Sequence, residues 1–163
     1  MKKKLLFVFL ALPQIVNAQI SIHPKTDAEM ARAFVAAIQS GDSHRLLSLA
    51  PTADVFRITA PEETKGKSDE EVMEMAKPMY EKLGSDFKVI QQEAAKKQID
   101  LEKIVIKGQK ISRVPYAPQG FYGMVIVFNY KKKKGMFTFG VAIINDIYYV
   151  YEIDKTVGVF KGM

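Results

Sequence analysis

Apolar residues recur at three- and four-residue steps through the first half of the chain and at two-residue steps after Asp100. Met30, Phe34 and Ile38 make one stripe of a helix. Thr26-Asp27-Ala28-Glu29 has the spacing of a capping box at its start, and Gly41 is a natural stop. Asp42 or Ser43 caps a second, shorter helix carrying Leu46, Leu47 and Leu49, which Pro51 ends. From Asp54 to Thr59, Val55, Phe56 and Ile58 alternate loosely, as in a short strand or an irregular link. Ser68-Asp69-Glu70-Glu71 is a second capping box, followed by Val72, Met75, Met79, Tyr80 and Leu83 at helical spacing. Pro78 lacks a donor and crowds the previous turn, so the pattern predicts a kink or a break there. Gly84-Ser85-Asp86 reads as a stop and a new cap. The helix after it presents Phe87, Ile90 and Ala94 and ends in Lys96-Lys97, where cations suit the helix dipole.

Strands follow. Leu101 to Val114 carries Ile104, Ile106 and Ile111, with Gly108 marking a turn or bulge, and Pro115-Tyr116-Ala117-Pro118 interrupts the pattern. Tyr122, Met124, Ile126, Phe128 and Tyr130 then share one face of a strand, and Phe137, Phe139, Val141 and Ile143 one face of the next. The smaller Thr138, Gly140 and Ala142 lie opposite. The last strand runs from Ile147 to Ile153, with Tyr149 and Tyr151 predicted on the face of both isoleucines. Lys131 to Gly135 and Asn145-Asp146 are the connecting turns.

Helices followed by an antiparallel meander predict an α+β domain, with N-terminal helices packed on a curved, mostly antiparallel sheet. One domain is expected over residues 26–163, behind a polar leader at 19–25. Both faces of the middle strands carry apolar residues. One face holds the helices, so the other lines a cavity, meets a partner subunit or belongs to a curled sheet.

Residues 1–18 read differently. Lys2, Lys3 and Lys4 precede the apolar run Leu5–Leu12, and Pro13 and Val16-Asn17-Ala18 complete the pattern of a signal peptide cleaved near Ala18. The run is too short to span a bilayer, and no later window is long and apolar enough. The expected location is therefore periplasmic or secreted, with no transmembrane segment in the mature chain. Losing these residues removes three lysines and no acids, so the formal charge of +6 falls to +3. The basic balance is largely a targeting signal, and nucleic-acid binding loses its support.

The 163 residues include no Cys, which excludes disulfides, a thiol nucleophile, thiolate metal sites and a lipobox. Gly66-Lys67-Ser68 resembles the end of a phosphate loop, but the required earlier glycine is Pro61, so it reads as a loop before the Ser68 cap. His23 and His44 are the two histidines, and no His pair has ligand spacing, so no metal or cofactor is expected. No Gly-x-Ser-x-Gly elbow is present. Asp54, Tyr80, Tyr116 and Tyr122 are of the types that an acid–base site in an apolar chamber would use, although nothing in their spacing brings them together. Lys131, Lys132, Lys133 and Lys134 place four charges at one hairpin tip, suited to acidic polymers, lipid headgroups or a partner's acidic patch. The alternative for them is a solvated turn that discourages edge pairing.

In element order the chain resembles the nuclear-transport-factor-two-like, or cystatin-like, α+β cone superfamily. The resemblance rests on the helix Asp27–Ser40 ending in Gly41-Asp42, the short leucine helix, the helical region to about Gln98 and the long terminal hairpins. Gln98-Ile99-Asp100-Leu101-Glu102-Lys103-Ile104 also resembles the helix-to-strand junction of secreted bacterial members with no assigned activity. The resemblance implies a cone-shaped fold that serves isomerases, dehydratases and non-catalytic proteins alike. The expectation is an exported, non-catalytic domain for a small apolar ligand or an envelope protein partner, with a homodimer through the second sheet face as a further arrangement. The alternative is a small acid–base enzyme of the ketosteroid-isomerase or dehydratase kind.

Overall fold

A computed structural model describes residues 23–154 and 159–160. The signal-peptide reading and the first part of the leader lie outside the described residues. The fold is α+β: five helices precede an open, four-stranded antiparallel sheet. The helices are α1 (Asp27–Ser40), α2 (Ser43–Leu47), α3 (Ala53–Thr59), α4 (Pro61–Thr64) and α5 (Asp69–Lys96). A 3-10 turn, Leu101–Lys103, leads into β1 (Val105–Arg113), β2 (Phe121–Tyr130), β3 (Lys133–Ile144) and β4 (Ile147–Ile153), which lie in chain order across the sheet.

The helix ends follow their side chains. The Thr26 hydroxyl accepts from the Glu29 N–H, and Gly41 closes α1 at φ 67°. Asp42 caps α2. At α5 both halves of the capping box form, and the hydrogen bond from the Ser68 N–H holds the Glu71 carboxyl below its ordinary range. Two expectations fail in this half. Asp54–Thr59 is helical, because the alternation of Val55, Phe56 and Ile58 also fits a helix of about two turns that buries Ala53 and Val55. Helix α5 is not divided at Pro78 or Gly84–Asp86. Val72, Ala76, Leu83, Phe87, Ile90 and Ala94 form one continuous buried stripe, whose packing outweighs the local breakers. The stripe passes through Ala76, which leaves Met75 half exposed.

One sheet face carries the main core. Phe34 of α1 stacks on Phe139 with ring centroids 4.0 Å apart and planes 2° from parallel. It meets Phe137 edge-on at 5.8 Å. Phe137 stacks on Phe128 at 4.5 Å, and Phe160 closes the row against both. Met30, Ile38, Leu46, Leu83, Met124 and Ile126 complete a layer that is shut off from solvent. Removing a ring from such a layer costs ~3–5 kcal/mol in transfer and cavity terms.

Each edge strand is bent by a bulge. The register of β1 slips between Ile106 and Gly108, at the glycine expected to mark one. The register of β4 slips opposite Gly140/Val141, where Val141 faces Val150 but Gly140 faces Glu152. Tyr151 is the extra residue. The faces exchange across it, so Val150 and Ile153 enter the main core while Tyr149 and Tyr151 lie on the other side with Ile147. This corrects the single face expected for Ile147, Tyr149, Tyr151 and Ile153. Asn145-Asp146 forms the expected two-residue turn with both residues at positive φ. The β2–β3 turn is tighter than expected: only Lys131 and Lys132 form it, and Lys133 and Lys134 begin β3.

The second face is covered in part. Val55 of α3 packs there with Ala142, Tyr149, Phe121 and Tyr151, while Val105 and Met136 remain exposed. The outer edge of β4 is occupied, because Val150 donates to the Leu49 carbonyl and Tyr148 to that of Pro24.

Tyr151 lies directly over Gly140, whose missing Cβ would fall against the ring, 2.8 Å from Cε1. Gly140→Ala should lower stability by about 1–3 kcal/mol through overpacking. In a Tyr151→Ala background most of that penalty should vanish, so denaturant unfolding of the four variants should be non-additive. Strict additivity would show that the two residues do not oppose each other.

Candidate functional site

No hydrogen bond or ion pair joins Asp54, Tyr80, Tyr116 and Tyr122 to one another among the described residues. Asp54 stands in the first turn of α3 with its side chain 90% exposed, 3.7 Å from the Arg57 guanidinium. Arg57 pairs more closely with Asp69, at 2.6 Å. Tyr80 on α5 donates its hydroxyl to the Pro51 carbonyl, and burial raises its pKa. Tyr116 is fully exposed in the β1–β2 loop. Tyr122 sits on β2 on the helix-covered face, whereas Asp54 acts electrostatically on Tyr149, which belongs to the opposite face.

Two unexpected polar junctions fasten the N-terminal segment. The Tyr148 hydroxyl donates to Asp27 Oδ1 at 2.7 Å, and burial together with that bond pushes the Tyr148 pKa up to about 12. The His23 ring rests on Tyr149 with centroids 4.8 Å apart, and burial lowers its pKa. His23, expected at the surface, is half-buried, whereas His44 is exposed as expected. Asp86, expected as a cap, is a buried carboxylate inside α5. It is paired with Lys82 at 3.0 Å, and Lys82 also reaches Glu152 of β4 at 3.3 Å.

The hairpin lysines, in contrast, join a groove of about 520 Å³. One wall is the end of α5 with Lys97, Gln98 and Ile99, and the other is Tyr130, Lys131, Lys132 and Lys133. Both walls are fixed by backbone geometry. Ile99 N–H returns to the Ala94 carbonyl and Gln98 N–H to that of Ala95, the paired bonds of a Schellman ending. Gln98 therefore stands at φ 54°, where glycine or asparagine is more usual. Ile99 and Ala94 are both in the core, which supplies the apolar contact of that motif. Opposite, Lys131 turns the chain at φ 55°.

Tyr130 joins the walls. Its hydroxyl donates to the Gln98 carbonyl at 3.4 Å, and Lys131 Nζ lies 5.2 Å from its ring centroid. Neighbouring lysines are neutralised: Lys96 pairs with Glu93 at 2.9 Å and Lys103 with Asp100 at 2.7 Å. Among the described residues no carboxylate pairs with Lys131, Lys132, Lys133 or Lys134. The result is a cationic rim over a floor made by Ile99 and the Tyr130 ring, both nearly buried. A smaller cleft of about 290 Å³ lies near Gly41, Phe87 and Gln91 and lacks such a rim. The lysine run was legible in the sequence. The opposite wall was not, because it depends on Gln98 and Tyr130, 32 positions apart, being brought together.

Among the described residues no group of three or more His, Asp or Glu side chains could hold a metal ion, and no helix is long and apolar enough to cross a membrane. No family model matches the chain, and no curated protein or solved structure shows significant similarity to it.

His23 provides a test of the N-terminal junction. Its folded-state pKa lies below its unfolded value, so the unfolded chain takes up the proton first as pH falls. Its contribution is complete above about pH 6.5 and is lost as pH falls through the folded-state value. Thermal unfolding should show His23→Phe losing less stability than the parent between pH 7.5 and 5. Identical pH profiles would mean that the imidazole is not desolvated against Tyr149.

Proposed function

We propose that this chain is an exported, non-catalytic binding domain of the cell envelope, and that it takes its ligand or partner in the groove between the end of α5 and the β2–β3 turn. The observation that carries this reading is the row of lysines without carboxylate partners around an apolar floor. Isolated surface lysines are ordinarily solvated and need no explanation. A concave site with cations on one rim and a rigid aromatic floor has the composition of a small-ligand site. Export is read from the pattern of residues 1–18. Membership of the cone superfamily is part of the same proposal, supported by the order of helices before an open antiparallel meander.

Recognition is thereby set at the groove rather than on the second sheet face, where a cavity was expected and where Val55, Ala142, Tyr149, Phe121 and Tyr151 pack together; the helix-covered face is filled by the phenylalanine row. An acid–base enzyme would need a carboxylate base within an apolar chamber. Asp54 offers none, being exposed and close to Arg57.

Native mass spectrometry of protein purified gently from its own envelope fraction tests the reading. The parent should carry an added mass that is lost on denaturation, and the triple variant Lys131→Ala/Lys132→Ala/Lys133→Ala should carry none. Retention of the same mass by the variant would place binding elsewhere. A doubled mass without added ligand would instead favour pairing through the second sheet face, where Val105 and Met136 are exposed.

A further inference from the structure

The groove's two halves differ in chemistry, and that difference narrows what it can hold. The rim is cationic: Lys131, Lys132 and Lys133 stand along one side. The floor is apolar: Ile99 and Tyr130 are nearly buried, and Lys131 Nζ lies 5.2 Å from the Tyr130 ring centroid. Lysine stems add methylene surface to such a site while their ammonium groups stay in water. A bare inorganic anion would use only the rim. A neutral hydrocarbon would use only the floor, and would displace water from beside like charges with nothing gained in return.

The geometry points to an anionic amphiphile with a single hydrocarbon chain, its phosphate or carboxylate head on Lys131–Lys133 and the first part of its chain on Ile99 and Tyr130. This assignment rests on the binding-domain reading above and names its ligand class. A volume of about 520 Å³ is in the range of small-molecule sites. The walls are also prepared in advance. The Schellman ending fixes Gln98 and Ile99, the Tyr130 hydroxyl bonds across to Gln98, and little ordering is left for the ligand to bring about. Neither Gln98 nor Lys131 is a residue that left-handed backbone favours, and both stand where they shape this groove.

The same head group occurs on a free amphiphile and on a bilayer lipid, and the two sources predict different measurements. Titration calorimetry of the mature chain should use inorganic phosphate, then butyl, hexyl, octyl and decyl phosphate below their micelle concentrations, and octyl glucoside as the uncharged control. Affinity should rise by about threefold to fourfold for each methylene placed on the floor, then level off when the groove is full. Inorganic phosphate and octyl glucoside should bind at least tenfold more weakly than octyl phosphate. The triple lysine-to-alanine variant should lose about tenfold or more for octyl phosphate, and the corresponding triple arginine variant should recover most of it. Lys131 and Lys132 are exposed turn residues and Lys133 is the exposed first residue of β3, so circular dichroism should confirm an unchanged fold.

Vesicles of phosphatidylglycerol and of phosphatidylcholine separate the sources. Binding to anionic vesicles with no chain-length dependence among the monomeric phosphates would mean surface docking on a membrane, and would overturn the assignment. Equal affinity for inorganic and octyl phosphate would overturn it as well, since the floor would then contribute nothing. If no alkyl phosphate binds, yet protein from the envelope carries a mass that the triple alanine variant lacks, the amphiphile assignment fails and the binding-domain reading stands. If neither is seen, both fail.

Discussion

The contact between Phe34 and Phe139 is the constraint on which the remainder of the structure depends. It is a near-parallel stack at 4.0 Å in a layer without solvent, and it is the point at which α1 is fixed to the middle of the sheet. Phe137 meets Phe34 edge-on, and Phe128 and Phe160 follow in a row, so one line of rings joins α1, β2, β3 and Phe160. Met136 N–H donates to Val159 O and Asp154 N–H to Thr138 O, two further main-chain bonds made at β3. Aromatic pairs add about 0.5–1.5 kcal/mol each beyond the area they bury, so a row of them supplies geometry as well as cohesion.

Filling one sheet face with rings has a consequence for recognition. The helix-covered side is committed to structure, and polar chemistry is left to the ends of the elements. Helix α5 carries that chemistry to two distant places. It is 28 residues long, about 42 Å at 1.5 Å per residue. Asp69, Glu70 and Glu71 occupy its first turn, and Lys96 and Lys97 its end. Each set complements the helix dipole where it stands. The basic end then meets the β2–β3 turn, where Lys131 to Lys134 find no carboxylates among the described residues. The cationic side of the groove is the lysine turn, which a two-residue hairpin places against the end of α5.

Much of this architecture was legible in the sequence because local chemistry and tertiary packing agree there. Thr26, Asp42 and Ser68 cap the helices for which their side chains are suited. Gly41 and Asn145-Asp146 mark positive φ, Gly108 marks a bulge, and the apolar faces of β2 and β3 are buried as their period of two requires. Legibility ended where the two disagree. Pro78 and Gly84 signal a broken helix, yet α5 continues because the stripe from Val72 to Ala94 is buried along its whole length. Val55, Phe56 and Ile58 fit either period, and burial of Val55 against Ala142 and Tyr149 decides for a helix. The Tyr151 bulge has no glycine or proline to announce it, and it reverses the face of every later residue in β4. Of the candidate site, the lysine run was visible. Asp54, Tyr80, Tyr116 and Tyr122 were selected by residue type; Asp54 lies near Arg57, Tyr80 bonds the Pro51 carbonyl and Tyr116 is exposed.

The proposed groove predicts recognition at the basic end and none at the ring-filled face. Amide hydrogen exchange with and without octyl phosphate tests this most directly. Slowed exchange should be confined to Gln98, Ile99 and the segment Tyr130–Lys133, with Phe34, Phe128, Phe137 and Phe139 unchanged. Slowed exchange centred on those phenylalanines, with the β2–β3 turn unaffected, would contradict it.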